Sequence, residues 1–176
     1  MLINAVTYTI EFQKRGLPHV HILLWISQED KWTTVSDIDR IISVEIPDKK
    51  LDQIGYEAVV TYMMHGPCGF ANPKSPCMSN GKCSKFLLKQ FQDKTDINEN
   101  GFSIYRRRDT SATAVKNDIE LDNRFVVPHN VDLTVRYQAH INVEICSQTR
   151  AVKYLFKYTN KGPDRMKAVL ESASEG

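Results

Sequence analysis

The sequence predicts an α+β domain that is built on an antiparallel sheet. Residues 5–13 alternate between apolar and polar side chains, which is typical of a β-strand. The short segment "KRGLP" then connects to a second strand over 19–26, so the two strands indicate a hairpin. Apolar residues recur at helical spacing over 49–64, which predicts an amphipathic helix. The residues on its apolar face are Leu51, Ile54, Ala58, Val59 and Tyr62.

The remaining elements are shorter. "VSDIDRII" predicts a short helix with Ser36 as its N-cap. Residues 65–91 form a Cys/His-rich insertion whose glycines and prolines exclude long regular structure, and 92–122 predict a polar loop or short strands around "FSIYRRRD". Residues 137–146 alternate again and predict a strand. A helix is expected to follow from Ser147 or Thr149 and to end at Gly162-Pro163.

Length and composition favour one globular domain over residues 1–176, because 41% hydrophobic and 25% charged residues are ordinary values. The net charge of +2 is small, so any interaction with nucleic acid would depend on local basic clusters. No apolar run is long enough to span a bilayer, and the first residues lack the order of a signal peptide. Four cysteines without a secretory signal indicate a reducing compartment.

The hairpin carries the first candidate site. Alternation places His19 and His21 on one face of their strand. If 14–18 form the turn, Gln13 lies opposite His19 and Glu11 lies opposite His21, and both point to the histidine face. Two imidazoles and a carboxylate would bind a divalent cation and leave positions open for phosphate oxygens. The alternative is a pair of hydrogen-bonded or surface histidines.

A second candidate site lies near the end of the chain, where Tyr154 and Tyr158 share one face of the predicted helix. A phenol attacks a phosphate only when a metal polarises the phosphate and cations offset the developing charge. Packing of both rings on the sheet is the alternative. The basic residues around the two tyrosines are Arg150, Lys153, Lys157 and Lys161.

The insertion contains the pattern H-x2-C-x8-C-x5-C, which is formed by His65, Cys68, Cys77 and Cys83. Three thiolates and an imidazole would satisfy a tetrahedral structural zinc. Free cysteines in an irregular loop are the alternative, and both interpretations stay open. Cys146 is expected to serve packing.

Two further groups of residues are candidates for contacts with DNA. Arg106, Arg107 and Arg108 in "YRRRD" could bind phosphates, and their alternative is a solvated loop. His140 precedes the tyrosine helix and is a reserve candidate for a ligand or a DNA contact. Its alternative is a hydrogen-bonded histidine within the sheet.

Long segments of the chain resemble a known family, the Rep nuclease domain of Helitron rolling-circle transposases, which is often called the Helitron helicase-like domain. The segments are "YTIEFQKRGLPHVHILLW", "DIDRIISVEIPD", "MMHGPCGFANPKSPCMSNGKCSK", "LDNRFVVPHN" and "YQAHINVEICSQTRAVKYLFKYTNKGPDR". This family belongs to the HUH endonucleases, which are named for a histidine–hydrophobic–histidine motif. The resemblance covers most of the chain.

The resemblance implies a metal-dependent reaction that nicks and rejoins single-stranded DNA at transposon ends. His19 and His21 would bind Mg²⁺ or Mn²⁺, and Glu11 would be the acidic third ligand. Tyr154 and Tyr158 would be the catalytic tyrosines, with Lys157 beside them. The implied fold is the split-βαβ palm of HUH nucleases, an antiparallel sheet of about five strands with helices mainly on one face. A nuclear location and no membrane partner are expected.

The family joins this domain to a helicase, but the sequence contains no G-x-x-x-x-G-K-S/T phosphate loop. The chain is therefore expected to be a fragment of a larger transposase that does not itself hydrolyse ATP. A second hypothesis is an inactive remnant that acts only as a zinc-stapled DNA-binding module. A small-molecule metalloenzyme is a third and would need a pocket but no basic tyrosine helix.

Overall fold

The computed structural model describes residues 3–12, 17–30, 34–85, 88–99, 102–146 and 171–172. The chain divides into two compact units. One contains the two ends of the chain, up to Thr33 and from Cys146, and the other spans Thr34–Ile145. Helices and antiparallel strands are both present, which confirms the α+β class. In the part of the chain that is described, no helix has the length and apolar character to cross a bilayer.

The first unit is built on the predicted hairpin of β1 (Ile3–Phe12) and β2 (Pro18–Ile26). Its strands are rich in β-branched and aromatic residues, which favour extended backbone. Strand β9 (Glu171–Ser172) pairs with the other edge of β1, giving the order β2-β1-β9. This is the largest sheet among the described residues, so a single sheet of about five strands is not observed there.

The predicted register of the hairpin is wrong by two residues. Glu11 lies opposite His19 and Phe12 lies opposite Pro18, whereas the sequence analysis placed Gln13 opposite His19. The connection between the paired residues is as long as predicted, with five residues between Phe12 and Pro18, but it lies one residue earlier in the chain. A slip of two residues leaves every side chain on its predicted face, because side chains alternate with a period of two.

The apolar face of the hairpin is largely exposed. Exposure is 65% for Phe12 and 59% for Ile22, whereas Thr9 on the opposite face is only 2% exposed. The face that carries the histidines is therefore the more buried one, although alternation alone would assign the apolar face to the core.

The second unit begins with helix α1 (Val35–Ile41), which Thr34 caps instead of the predicted Ser36. The Thr34 hydroxyl accepts a hydrogen bond from the Asp37 amide at 3.2 Å, and the Asp37 carboxylate accepts one from the Thr34 amide at 3.3 Å. The two bonds form a capping box, which satisfies two amides at the start of the helix.

Helix α2 (Gln53–Tyr62) falls within the predicted range but is shorter at both ends. Asp52 caps it, because its carboxylate accepts a hydrogen bond from the Gly55 amide at 2.8 Å. Ala58 and Val59 are buried as predicted, whereas Ile54 is 68% exposed and Leu51 lies before the helix, 87% exposed.

Short ribbons complete the second unit, as predicted for 92–122. These are β3 (Met78–Ser79) with β4 (Lys82–Cys83), β5 (Asp96–Ile97) with β6 (Ser103–Ile104), and β7 (Ala114–Lys116) with β8 (Ile119–Leu121). Helix α3 (Val131–Tyr137) contacts α2. The core lies among α2, the last ribbon and the following turn, and consists of Ile46, Val59, Met63, Met64, Ala114, Leu121, Phe125 and Val126.

The predicted strand over 137–146 is wrong. Tyr137 ends α3, Gln138 caps that helix in the left-handed conformation, and residues 139–146 belong to no strand. Among the backbone hydrogen bonds of the described residues, this segment makes one from the Val143 amide to the Pro128 carbonyl at 3.0 Å. Alternation over a few residues does not produce a strand where no neighbouring strand pairs with it.

Candidate functional site

The hairpin brings Glu11, His19 and His21 together on one face of the sheet. Glu11 is the direct cross-strand partner of His19, and His21 lies diagonally across from Glu11 because its own partner is Thr9. Each of the three side chains offers one ligand atom within 4.8 Å of the other two. Glu11 Oε1 lies 3.7 Å from His21 Nε2, and the two imidazole rings meet edge to face at 4.7 Å between centroids.

The side chains of this cluster are partly buried, yet they stay accessible to a metal ion from solvent. The side chain of His21 is 17% exposed and that of Glu11 is 31% exposed. Two imidazole nitrogens and one carboxylate oxygen are a donor set for Mn²⁺ and other transition metals, and Mg²⁺ prefers oxygen ligands. Because three ligands do not complete an octahedral shell, the donor set fits a cation with open positions.

Thr9 is the residue of this face that the sequence analysis did not single out. It lies directly opposite His21 and is 2% exposed. The only sequence signal was its place in the same alternating row as Glu11.

The predicted tyrosine site lies outside the described residues, and its roles stay predictions. This applies to Arg150, Lys153, Tyr154, Lys157, Tyr158 and Lys161, and to the reserve candidate Gln13.

The arginines of "YRRRD" are engaged within the second unit. Arg106 pairs with Asp39 at 3.2 Å, and Arg108 pairs with Glu45 at 2.7 Å. Burial alone would raise the pKa of Glu45, but the hydrogen bonds and charge of Arg108 outweigh it and hold that pKa below its ordinary value. A role in phosphate binding stays a prediction for both arginines, whose side chains remain 35% and 49% exposed.

Arg107 is only 5% exposed and is the arginine least able to reach a phosphate. Its Nη1 donates hydrogen bonds to the carbonyls of Val44, Asn123 and Val126. Burial lowers the pKa of Arg107 to about 10, and the guanidinium stays charged at neutral pH. It joins its own segment to Val44 and to the turn that contains Asn123 and Val126, which is a structural role.

His140 is exposed, and its Nδ1 lies 2.8 Å from the carbonyl of Tyr62 at the end of α2. This matches the alternative of a hydrogen-bonded histidine, although the histidine lies after a helix and not in a sheet. Cys146 was expected to pack in the interior but is exposed.

The cysteine segment forms a second cluster, within the second unit. One ligand atom from each of His65, Cys68, Cys77 and Cys83 lies within 4.8 Å of the others, so the four residues could bind a metal ion such as zinc. His65 follows α2, and Cys83 ends β4. The Sγ atom of Cys83 lies 3.4 Å from Nε2 of His65.

Burial dominates the protonation of this cluster. Burial first, and then the neighbouring Cys77 and Cys83, raise the pKa of the Cys68 thiol to about 12. Burial also lowers the pKa of His65, as do the charges of Lys116 and Lys85. The imidazole is therefore kept neutral, which is the form that binds a metal.

Comparison of the chain with models of known protein families gives no match, and comparison with curated proteins gives none either.

Proposed function

We propose that this chain is a metal-dependent nuclease domain that nicks single-stranded DNA and transfers the cut strand, as in Helitron rolling-circle transposition. The observation that carries the proposal is the convergence of Glu11, His19 and His21 on one face of the hairpin, with ligand atoms within 4.8 Å of one another. The type of reaction is proposed because the sequence resembles the Rep domain of Helitron transposases.

In this proposal Glu11, His19 and His21 hold Mg²⁺ or Mn²⁺, and their donor chemistry favours Mn²⁺. The bound ion supplies polarisation of the scissile phosphate. Glu11 would offset part of the positive charge of the ion, and the two imidazoles of one strand would fix its position. The carboxylate crosses from the neighbouring strand, so the hairpin register sets the geometry of the site.

The nucleophile in the proposal is the phenol oxygen of Tyr154 or Tyr158. The phenol gives up its proton as its oxygen attacks phosphorus, a P–O bond to tyrosine forms, and the bond to the 3′-oxygen breaks. The leaving 3′-oxygen takes up a proton in return, so the step is balanced. The products are a 5′-phosphotyrosine link and a free 3′-hydroxyl. With two tyrosines, one can hold the 5′-phosphate while the other attacks a second strand. Cations that would offset the phosphate charge are Arg150, Lys153, Lys157 and Lys161.

The finer parts of the proposal concern fold, partners and location. The hairpin and β9 would belong to the HUH palm, an antiparallel sheet of about five strands with helices mainly on one face. The partner would be single-stranded DNA at transposon ends, with a helicase domain on a longer polypeptide. The site of action would be the nucleus.

A labelled single-stranded oligonucleotide incubated with the chain and Mn²⁺ tests the nuclease. The proposal expects a covalent protein–DNA adduct that resists denaturation and is absent from the Tyr154→Phe, Tyr158→Phe double variant. Tyr137→Phe is the matched control, because this exposed tyrosine ends α3 and has no assigned role. An adduct that persists in the double variant would refute the tyrosine chemistry.

The second candidate is a DNA-binding module without cleavage, and the thiolate cluster in the second unit favours it. A fold that is stabilised by a structural metal ion can bind DNA without catalytic residues. The same experiment distinguishes the two functions. Retarded oligonucleotide without any adduct, at all Mn²⁺ concentrations, would support the module and contradict the nuclease.

A further inference from the structure

Residues 65–85 form turns and one short ribbon, and they have almost no hydrophobic core of their own. Only Pro67 and Cys68 are buried in this range, and Phe70 is fully exposed. The ribbon of β3 and β4 has two residues in each strand. Burial of apolar surface is the main force that orders a chain, so this segment needs another source of stability.

The local hydrogen bonds bring the four side chains of the cluster together. The Ser84 amide donates to the Cys77 carbonyl at 2.8 Å, which closes the ribbon. At the other end, the His65 amide donates to the Phe125 carbonyl at 2.9 Å, so the first residue of the cluster is attached to the core of the second unit. The backbone therefore holds a histidine and three cysteines around one point.

The separations suit a tetrahedral ion. Zn–S bonds of about 2.3 Å and Zn–N bonds of about 2.0 Å place neighbouring ligand atoms roughly 3.5–3.8 Å apart. The Cys83 Sγ to His65 Nε2 distance of 3.4 Å already agrees, and the full set lies within 4.8 Å. Small side-chain rotations would bring the remaining atoms to bonding distance.

We propose that His65, Cys68, Cys77 and Cys83 bind one structural Zn²⁺ that fastens residues 66–85 to the end of α2. Three thiolates and one imidazole select zinc over magnesium or calcium, which prefer oxygen. Four protein ligands close the coordination shell, and Cys68 is only 1% exposed, so no position is left for a substrate. The site is independent of the proposed nuclease, because it shares no residue with the hairpin cluster.

The charges around the cluster suit this assignment. Zn²⁺ with three thiolates carries one net negative charge. Lys85 and Lys116 lie near enough to His65 to affect its protonation, and both would offset that charge.

The metal content of the whole chain, purified without chelator and measured by mass spectrometry, tests the proposal. About one Zn²⁺ per chain is expected. Cys77→Ser and Cys83→Ser should each lower the content to less than about a tenth of that value. Cys146→Ser, which changes the exposed cysteine outside the cluster, should retain full zinc. Replacement by Co²⁺ should give the visible absorption of a tetrahedral cobalt–thiolate site.

A misfolded variant would also lose zinc, so the test includes a variant that replaces one ligand by another. His65→Cys should keep about one zinc and shift the cobalt spectrum, whereas His65→Ala should lose the metal. Wild-type chain without zinc after growth in zinc-supplemented medium would overturn the proposal. Equal zinc content in wild type and in all four cluster variants would also overturn it. His19→Ala should keep its zinc whether or not the nuclease proposal holds.

Discussion

Glu11 stands directly opposite His19 in the hairpin, so the carboxylate and the first imidazole come from paired positions on neighbouring strands. Such pairs have the shortest side-chain separations in an antiparallel sheet. Because His21 follows two residues later on the same face, the carboxylate also lies 3.7 Å from its Nε2. A single cross-strand pair therefore brings the three candidate ligands together.

Glu11→Gln should weaken Mn²⁺ binding by at least about tenfold, because the amide keeps the shape but removes the charge that attracts the cation. Isothermal titration with Mn²⁺ measures the affinity. Glu29→Gln is the matched control, since this exposed carboxylate follows β2 in the same unit. Equal affinity of the Glu11 variant and wild type would show that Glu11 is not a ligand.

Arg107→Met should destabilise the second unit by about 2–4 kcal/mol, because it leaves three buried carbonyls, of Val44, Asn123 and Val126, without their donor. Urea unfolding measures the loss. Arg40→Met, whose side chain is 73% exposed, should change stability by less than about 0.5 kcal/mol. A phosphate-binding role would instead give a stable variant with weaker DNA binding.

Thr34→Ala should cost about 1 kcal/mol of stability, because the capping box of α1 is lost. Ser36→Ala should be close to neutral, since Ser36 lies inside the helix and is exposed. Thermal or urea unfolding of the two variants decides between the observed cap and the one that the sequence predicted. A larger loss for Ser36→Ala would favour the predicted cap.

His129 should make the second unit sensitive to acid. The residue is fully buried, burial lowers its pKa below 6.5, and the nearby charge of Arg107 lowers it further. Its Nδ1 lies 2.9 Å from the Val127 carbonyl, and its Nε2 has no hydrogen-bond partner among the described residues. Because the pKa of His129 is lower in the folded protein, the unfolded chain binds the proton more readily. The free energy of unfolding is therefore highest above pH 6.5 and decreases as the pH falls below that value.

Urea unfolding at several values between about pH 7.5 and pH 5 checks this dependence. His129→Gln should unfold at lower urea but lose much less stability as pH falls. His140→Gln, at an exposed site, should keep the wild-type slope. An unchanged slope in His129→Gln would show that another group causes the acid sensitivity.

The sequence was sufficient to place Glu11, His19 and His21 on one face, because that prediction needs only the parity of alternation. It could not supply the register, because a shift of two residues keeps the same alternation of side chains and the sequence pattern does not distinguish the two pairings. The clustering of the four Cys and His ligand atoms agrees with one of the two interpretations that the spacing left open, and these residues lie within one short segment.

The sequence could not predict ion pairs and hydrogen bonds between residues that lie far apart along the chain. Arg108 pairs with Glu45 and Arg107 donates to Val44, both more than 60 residues earlier, so "YRRRD" looked like a free basic cluster. The alternation of 137–146 suggested a strand, but no neighbouring strand in the described part of the chain pairs with it. Contacts between distant parts of the chain determined the outcome for the arginines and for residues 137–146. Such contacts cannot be read from the pattern of a single sequence.

Electron spin-echo spectroscopy of the Mn²⁺-loaded chain tests the hairpin metal site most directly, because it detects histidine nitrogens bound to the ion. We predict coupling to two imidazole nitrogens in wild type, to one in His19→Ala or His21→Ala, and to two in the control His140→Ala. Coupling to no imidazole in wild type, or a spectrum that neither hairpin substitution changes, would contradict the proposed metal centre.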